Sequence, residues 1–323
     1  MVELHLHLDG SVRIGTMLDI AAHDRTLLPA TGEAELKRAL RCGQVRLDLA
    51  DYLEAFALTT SVMQTRSALG RIASELLEDV SADGLRYVEI RFMPELHTLR
   101  GLAGEEVMEA VLDGLLLGGR KHDVAWGLIV CSMRHVAPEV TGRMIDLALA
   151  YQKHGVVAVD LAGDDNHRAL DHAAHFMRAK EGGLRVTIHA AEEGPPQRAR
   201  EAVELFGAER IGHGVTLRSD SNTLNMLIER GIGIEACLTS NVQTRTVRGY
   251  DAHPAREFLQ KGARVSLSTD NRVLAGTTML SEFVHAAHHW GLRESELRQL
   301  VRNAVETSFA PTHVKESLRH QIG

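Results

Sequence analysis

Short apolar runs of strand length recur eight times along this chain, each separated from the next by a longer stretch of helical periodicity. The runs occupy residues 2–8, 85–92, 124–131, 156–161, 185–189, 210–215, 233–238 and 264–268, with helical patterns such as 69–80, 105–117 and 198–206 between them. Apolar runs of this length, alternating with patterns that repeat every three or four residues, read as strand and helix respectively. Eight strand–helix alternations predict an α/β chain folded as a parallel (β/α)8 TIM barrel. The first interval, roughly 11–83, is much longer than the others and carries several helical patterns. The expectation is therefore a helical insertion after strand 1, on the face where barrel loops shape a substrate pocket.

At 323 residues and 44% hydrophobic content, one large core is sustainable, and barrels of this size are routinely single units. No low-complexity segment or Pro/Ser-rich linker interrupts the alternation, so residues 1–323 are expected to form one domain. Lys and Arg total 36 against 43 Asp and Glu, for a net charge of −7, with both signs interspersed. That pattern carries no nucleic-acid footprint. The longest apolar runs are too short for a membrane span. Cys42, Cys131 and Cys237 are widely spaced without a CxxC pair, which suits three core thiols in a reducing compartment. The first apolar stretch already contains His5 and His7 and lacks a secretory cleavage pattern, so a cytoplasmic location is expected.

The strongest local signal is His5-Leu6-His7 in the first strand. Residues two apart on a strand share a face, which turns Leu4, Leu6 and Leu8 outward and both imidazoles into the barrel. Buried imidazoles need partners. Alone, an HxH pair fits two hydrogen-bonded core histidines as well as a metal site. His189, His213 and Asp270 change that balance, because they close the fifth, sixth and eighth runs, where a barrel places its reactive side chains. Nitrogen and carboxylate donors without thiolate suit zinc, and also iron, manganese or nickel. The His/Cys…PCxxC pattern of cytidine deaminases is absent.

These residues lie in segments that resemble the adenosine deaminase family along nearly the whole chain. The matching segments are Val2-Glu3-Leu4-His5-Leu6-His7-Leu8-Asp9-Gly10, Val159-Asp160-Leu161-Ala162-Gly163-Asp164, Thr187-Ile188-His189-Ala190-Ala191-Glu192, Arg210-Ile211-Gly212-His213-Gly214, Thr239-Ser240-Asn241 and Ser268-Thr269-Asp270. The resemblance implies one Zn2+ per chain held by His5, His7, His189 and Asp270. It implies Glu192 as proton donor to the purine ring, and His213 as the group that orients or deprotonates the attacking water. It also implies His7, Asp9, Gly163 and Asn271 on the substrate side, with Asp9 reaching the ribose and the Gly163 amide donating to the purine. Two positions depart from the commoner pattern. Ala191 stands where many members have Gly, which narrows the backbone's options. Asn271 stands where many have a second Asp, and its carboxamide can donate to the purine without a retained proton.

Hydrolytic deamination exchanges a ring amine for water's oxygen, so water must be activated and the neighbouring ring nitrogen protonated. Glu192 therefore has to be a carboxylic acid near neutral pH. The resemblance implies conversion of adenosine and 2'-deoxyadenosine to the inosines and ammonia. Ala191 and Asn271 keep open adenine, N6-substituted AMP or aminodeoxyfutalosine as substrate. A catalytically silent zinc-binding protein would need neither Glu192 nor His213. A two-metal phosphoester or amide hydrolase would need a bridging lysine, and none occupies a matching strand end. Leu49, Tyr52, Leu53 and Phe56 form a helical stripe read as core or as pocket wall. His285, His288 and His289 read as a solvated or interface helix face.

Overall fold

The computed structural model describes residues 1–45 and 49–322, with the side chains of 49–53 outside that description. Every apolar run coincides with one strand to within two residues at either end: β1 (Val2–His7), β2 (Tyr87–Phe92), β3 (Ala125–Met133), β4 (Val156–Ala162), β5 (Arg185–Ala190), β6 (Arg210–His213), β7 (Gly233–Ala236) and β8 (Arg264–Leu267). Each pairs in parallel with the next, in chain order. The ring closes through one bridge between Leu6 and Asp270. There the His7 amide donates to the Asp270 carbonyl at 2.8 Å, and the Asp270 amide to the His5 carbonyl at 3.0 Å. The architecture is a (β/α)8 TIM barrel.

The long first interval carries α1 (Ile14–Asp24), α2 (Glu33–Ala39), α3 (Leu49–Ser61) and α4 (Arg66–Ala82). Helix α4 starts at Thr65, whose hydroxyl accepts the Ala68 amide at 3.2 Å and so satisfies one of the free first-turn donors. It buries Leu69, Ile72, Ala73, Leu76, Leu77 and Val80, a stripe one helical face wide. That face lies against α5 (Gly104–His122) at very short range. A Cβ on Gly114 would fall 2.2 Å from the Gly70 carbonyl oxygen, so only glycine permits the approach. The outer layer continues with α6 (Pro138–Ala150), α7 (Ala173–Glu181), α8 (Gln197–Leu205), α9 (Ser221–Glu229), α10 (Leu238–Gln243), α11 (Ala255–Gln260), α12 (Arg272–Ala275), α13 (Met279–Trp290), α14 (Glu294–Thr307) and α15 (Thr312–Ile322). Leu4 packs outward on Ala304 and Val305 of α14, and Leu6 joins the main apolar core, as the alternation in β1 predicts.

Inside the ring the filling is charged rather than aliphatic. At the amino end, Arg210 contacts Glu89 and Glu235, each at 2.5 Å, and its guanidinium lies 3.6 Å from the Phe309 ring centre. One layer higher, Arg91 bridges Asp160 and Glu235, both at 2.9 Å. All five charged groups are fully buried. The three cysteines are all buried, as expected.

Candidate active site

Four strands leave the barrel through a residue with positive φ: Gly163 after β4 (+92°), Ala191 after β5 (+57°), His213 at the end of β6 (+66°) and Asp270 after β8 (+63°). Three of these are not glycine. A left-handed non-glycine residue costs about 1–3 kcal/mol and persists only where its surroundings over-determine it. Around Ala191 they do, because its carbonyl accepts the Thr216 amide at 2.7 Å and the Thr216 hydroxyl at 3.2 Å. Alanine is thus held in a left-handed turn of the kind glycine adopts without strain.

Below these turns the donor atoms converge. His7 Nε2 lies 3.2 Å from His189 Nε2 and 3.4 Å from Asp270 Oδ1. His5 Nε2 faces the same Asp270 oxygen at 3.4 Å and makes no hydrogen bond, although it is buried. Donor atoms of His5, His189, His213 and Asp270 all lie within 4.8 Å of one another. The structure therefore gathers His5, His7, His189 and Asp270 as the resemblance implies, and it brings His213 equally close. The outer nitrogens fix the inner ones. His5 Nδ1 bonds Glu235 at 2.8 Å and His189 Nδ1 bonds Asp160 at 3.1 Å, so each Nδ1 carries the proton and each Nε2 presents a lone pair. Ser240 donates to Asp270 Oδ2 at 2.6 Å, leaving Oδ1 for the cluster. Buried lone pairs aimed at one another are costly unless a cation sits among them. This donor set fits one divalent metal ion.

Electrostatics reinforce that fit. Burial, joined by neighbouring imidazoles, holds His7 and His213 far below the usual histidine range. Burial lowers His189 as well. Against the effect of its own burial, Asp270 is held well below the carboxylate range by the adjoining His5, and by His7 and His213. His5 is the exception: against its burial and Arg91, its contacts with Asp270 and Glu235 raise it. The site thus offers neutral imidazoles at His7, His189 and His213 and an ionised carboxylate.

Glu192 sits at the rim with 24% of its side chain exposed, its Oε2 3.5 Å from His213 Nε2. Burial, then the charges of Asp270, Asp165 and Glu193, push its carboxyl well above the usual range. Its loop is held by a residue the sequence reading passed over. Asp165 accepts the amides of Glu192 (2.9 Å), Glu193 (3.2 Å) and Gly194 (2.6 Å). A Cβ on Gly194 would fall 2.4 Å from the Asp165 carbonyl oxygen, so the clamp needs glycine there. Asn241, noted only within its motif, donates to Glu192 Oε1 at 3.2 Å and contacts His213 Nδ1 at 3.1 Å.

On the substrate side, Asp9 follows β1 in a buried turn, 3.9 Å from His7 Nδ1, with an Oδ1 that has no hydrogen-bond partner. Burial pushes its carboxyl up to about 7, against its own and the Gly10 backbone amides. Asn271 is packed on that turn: a Cβ on Gly10 would lie 1.8 Å from its Oδ1. Asn271 also occupies the cap position of α12 without making a side-chain cap bond, so the preceding Asp270 is left to the cluster. Of the helical stripe, the side chains of Leu49, Tyr52 and Leu53 lie outside the description. Phe56 packs against the main core and meets the His7 ring edge-on at 6.4 Å, so it borders the cluster. His285 and His289 are not a free solvated face; they stack on Tyr250 at 4.0 and 5.0 Å, which fastens α13 to a neighbouring turn.

An eight-stranded barrel that gathers neutral imidazoles, an ionised carboxylate and a raised-pKa acid at the carboxyl ends of its strands has the layout of a barrel hydrolase. The chain belongs to the adenosine deaminase family, a family of hydrolytic deaminases whose model matches residues 1–323. It is 38% identical over 322 residues to an adenosine deaminase of Clostridium botulinum (strain Okra / Type B1), covering 99% of this chain and 96% of that one. Among solved structures it is similar to an adenine deaminase from Arthrobacter aurescens (TM-score 0.92, 26% identity, 99% of this chain and 97% of that one). It is also similar to the N6-methyl-AMP deaminase from Arabidopsis thaliana (TM-score 0.85, 25% identity, 99% and 95%). Among the described residues no helix is long and apolar enough to cross a membrane.

Proposed function

We propose that this chain is a zinc-dependent deaminase of adenosine and 2'-deoxyadenosine, acting in the cytoplasm as one barrel domain over residues 1–323. It would hold one Zn2+ on His5, His7, His189 and Asp270. The observation that carries the reading is the pairing of unmatched buried donor atoms with an acid of raised pKa at their rim. When bound, the ion supplies nucleophilic water at neutral pH by lowering water's pKa to about 7.

The chain's own residues do the rest. Glu192, kept protonated by burial and its acidic neighbours, donates its proton to the ring nitrogen beside the amine-bearing carbon as water's oxygen bonds to that carbon. One of the water's protons leaves with the amine as ammonia, the other returns to Glu192 to restore the acid, and the carbonyl forms. His213 lies against Glu192 and stabilises the oxygen as charge develops on it. The Gly163 amide and the Asn271 carboxamide hold the purine. Asp9 Oδ1, buried and without a protein partner, accepts a ribose hydroxyl.

That acidic acceptor favours a nucleoside, because a 5'-phosphate beside Asp9 would meet like charge. The likeness to adenine and N6-methyl-AMP deaminases supports a second reading, the same chemistry on adenine, an N6-substituted AMP or aminodeoxyfutalosine. One experiment separates the two: zinc-loaded protein is mixed with each compound and the loss of 6-aminopurine absorbance is followed. Fastest turnover of adenosine supports the first reading. A preference of orders of magnitude for another compound overturns it in favour of the second.

A further inference from the structure

We propose that His253 and Asn241 are positioning residues that fix where the protons sit on His213 and Glu192. Their value for catalysis rests on the function proposed above, but the proton arrangement itself follows from the hydrogen bonds alone.

Ala255 is the first residue of α11, and a first-turn amide has no acceptor within its helix. This amide points at His253 Nδ1, 3.2 Å away. A backbone N–H can only donate, so His253 Nδ1 accepts and the ring proton sits on Nε2. The ring is neutral at pH 7, because burial and then Arg218 push His253 down to about 3. His253 Nε2 lies 3.2 Å from Asn241 Oδ1, so its N–H donates to that oxygen and the amide orientation is set. The Asn241 NH2 must then face the other way. Its two hydrogens meet His213 Nδ1 at 3.1 Å and Glu192 Oε1 at 3.2 Å.

Two protons are assigned by this chain. His213 Nδ1 accepts, so the neutral ring carries its proton on Nε2, the nitrogen 3.5 Å from Glu192 Oε2. Glu192 Oε1 also accepts, so the acid's proton rides on Oε2, turned away from Asn241. Reversing the amide would require His253 to carry its proton on Nδ1, facing the Ala255 N–H with no acceptor between them. Asn241 is fully buried and His253 is 2% exposed, so an unmatched donor pair there costs about 1–3 kcal/mol. The reverse arrangement therefore loses. A further consequence separates the two imidazoles that lie closest to the shared donors. A protonated Nε2 on His213 offers no lone pair to a cation, whereas His7 Nε2 remains available as the fourth ligand.

The test combines a spectroscopic and a kinetic readout on metal-loaded protein labelled with 15N-histidine. Long-range 1H–15N correlation, with His213 assigned by its loss in His213→Gln, is expected to show a protonated Nε2 and an unprotonated Nδ1. A protonated Nδ1 would overturn the proposal whatever the activity. In Asn241→Asp the new carboxylate can only accept, so the His213 proton is expected to move to Nδ1. The kcat for adenosine should then fall on the order of 10²- to 10⁴-fold, as with other wrong-tautomer histidines, with KM and bound metal near wild type.

His253→Gln keeps a donor toward Asn241 and should preserve both the tautomer and most of the turnover. His253→Phe should lose about 10- to 100-fold in kcat. Equal losses in Gln and Phe would reduce His253 to packing and sink the relay, and this pair still decides if Asn241→Asp does not fold. Wild-type protein with Nε2 protonated but inert toward every purine would overturn the functional reading and leave the proton arrangement standing.

Discussion

The two ends of the barrel interior are equally buried and equally polar, yet they are built on opposite rules. At the amino end every charge meets its opposite: Arg210 lies between Glu89 and Glu235, and Arg91 between Asp160 and Glu235. At the carboxyl end like groups face one another, with His7 and His189 nitrogens 3.2 Å apart and a buried His5 nitrogen unmatched. Buried polarity by itself therefore does not mark a reactive site. Donor atoms of like kind converging on one point do. Glu235 and Asp160 belong to both ends, since each receives an arginine from below and a histidine from above. The closed network thereby holds the open one in register.

The sharpest way to break this contrast is at the open end. His189→Ala should purify without metal and without turnover. Glu192→Gln should keep its metal while turnover falls about 10²- to 10⁴-fold; metal analysis beside the absorbance assay separates them, and a metal-free Glu192→Gln protein would contradict the assignment. At the closed end, Arg210→Met leaves two buried carboxylates facing each other. Unfolding should become easier by about 3–5 kcal/mol, measured by urea titration, while the folded fraction keeps its KM.

Asp165→Ala tests the boundary between the two. Removing the acceptor of three loop amides should let Glu192 drift and lower kcat about 100-fold, with metal content unchanged. The smallest effect belongs to Glu282, a buried carboxyl pushed up to about 7 by burial, against hydrogen bonds from Thr239 and Thr277. Folded protein keeps this proton from the ordinary value of 4.5 up to about 7, where the unfolded chain has shed it. Its stabilising contribution is thus complete below pH 4.5 and is lost as pH rises through 7. Glu282→Gln should flatten that slope and gain about 1–3 kcal/mol at pH 8, read from unfolding midpoints across the pH range.

The strands were legible because an apolar run that must be buried on both faces looks the same wherever it occurs. The clustering positions were legible because polar residues at the ends of such runs have few other reasons to be there. Asp165 was not. It reads as a second loop acid beside Asp164, and its clamp exists only because two loops 27 residues apart meet in space. The left-handed turns at His213 and Asp270 were equally hidden, since the residue there is not the glycine that usually announces positive φ. At Ala191 the departure from glycine was visible, but the outcome depended on Thr216, which supplies the restraint. The charges at positions 89, 91, 160, 210 and 235 stood inside or at the edge of apolar runs, and partners for them could have been sought on that ground alone. Which pairs with which is decided by register across the barrel. His285 and His289 lie one helical turn apart, and their helix gives no hint of Tyr250, which comes from a turn 35 residues earlier.

The seam between β1 and β8 has a consequence in time. Its bridge joins Leu6 to Asp270, and the candidate metal ligands flank it on both sides. A ribosome releases His5 and His7 long before it reaches Asp270, so no nascent chain short of that point can assemble the full donor set. Closure of the ring and completion of the candidate donor set therefore both wait for Asp270. A chain interrupted before residue 270 lacks both the seam and the complete donor set.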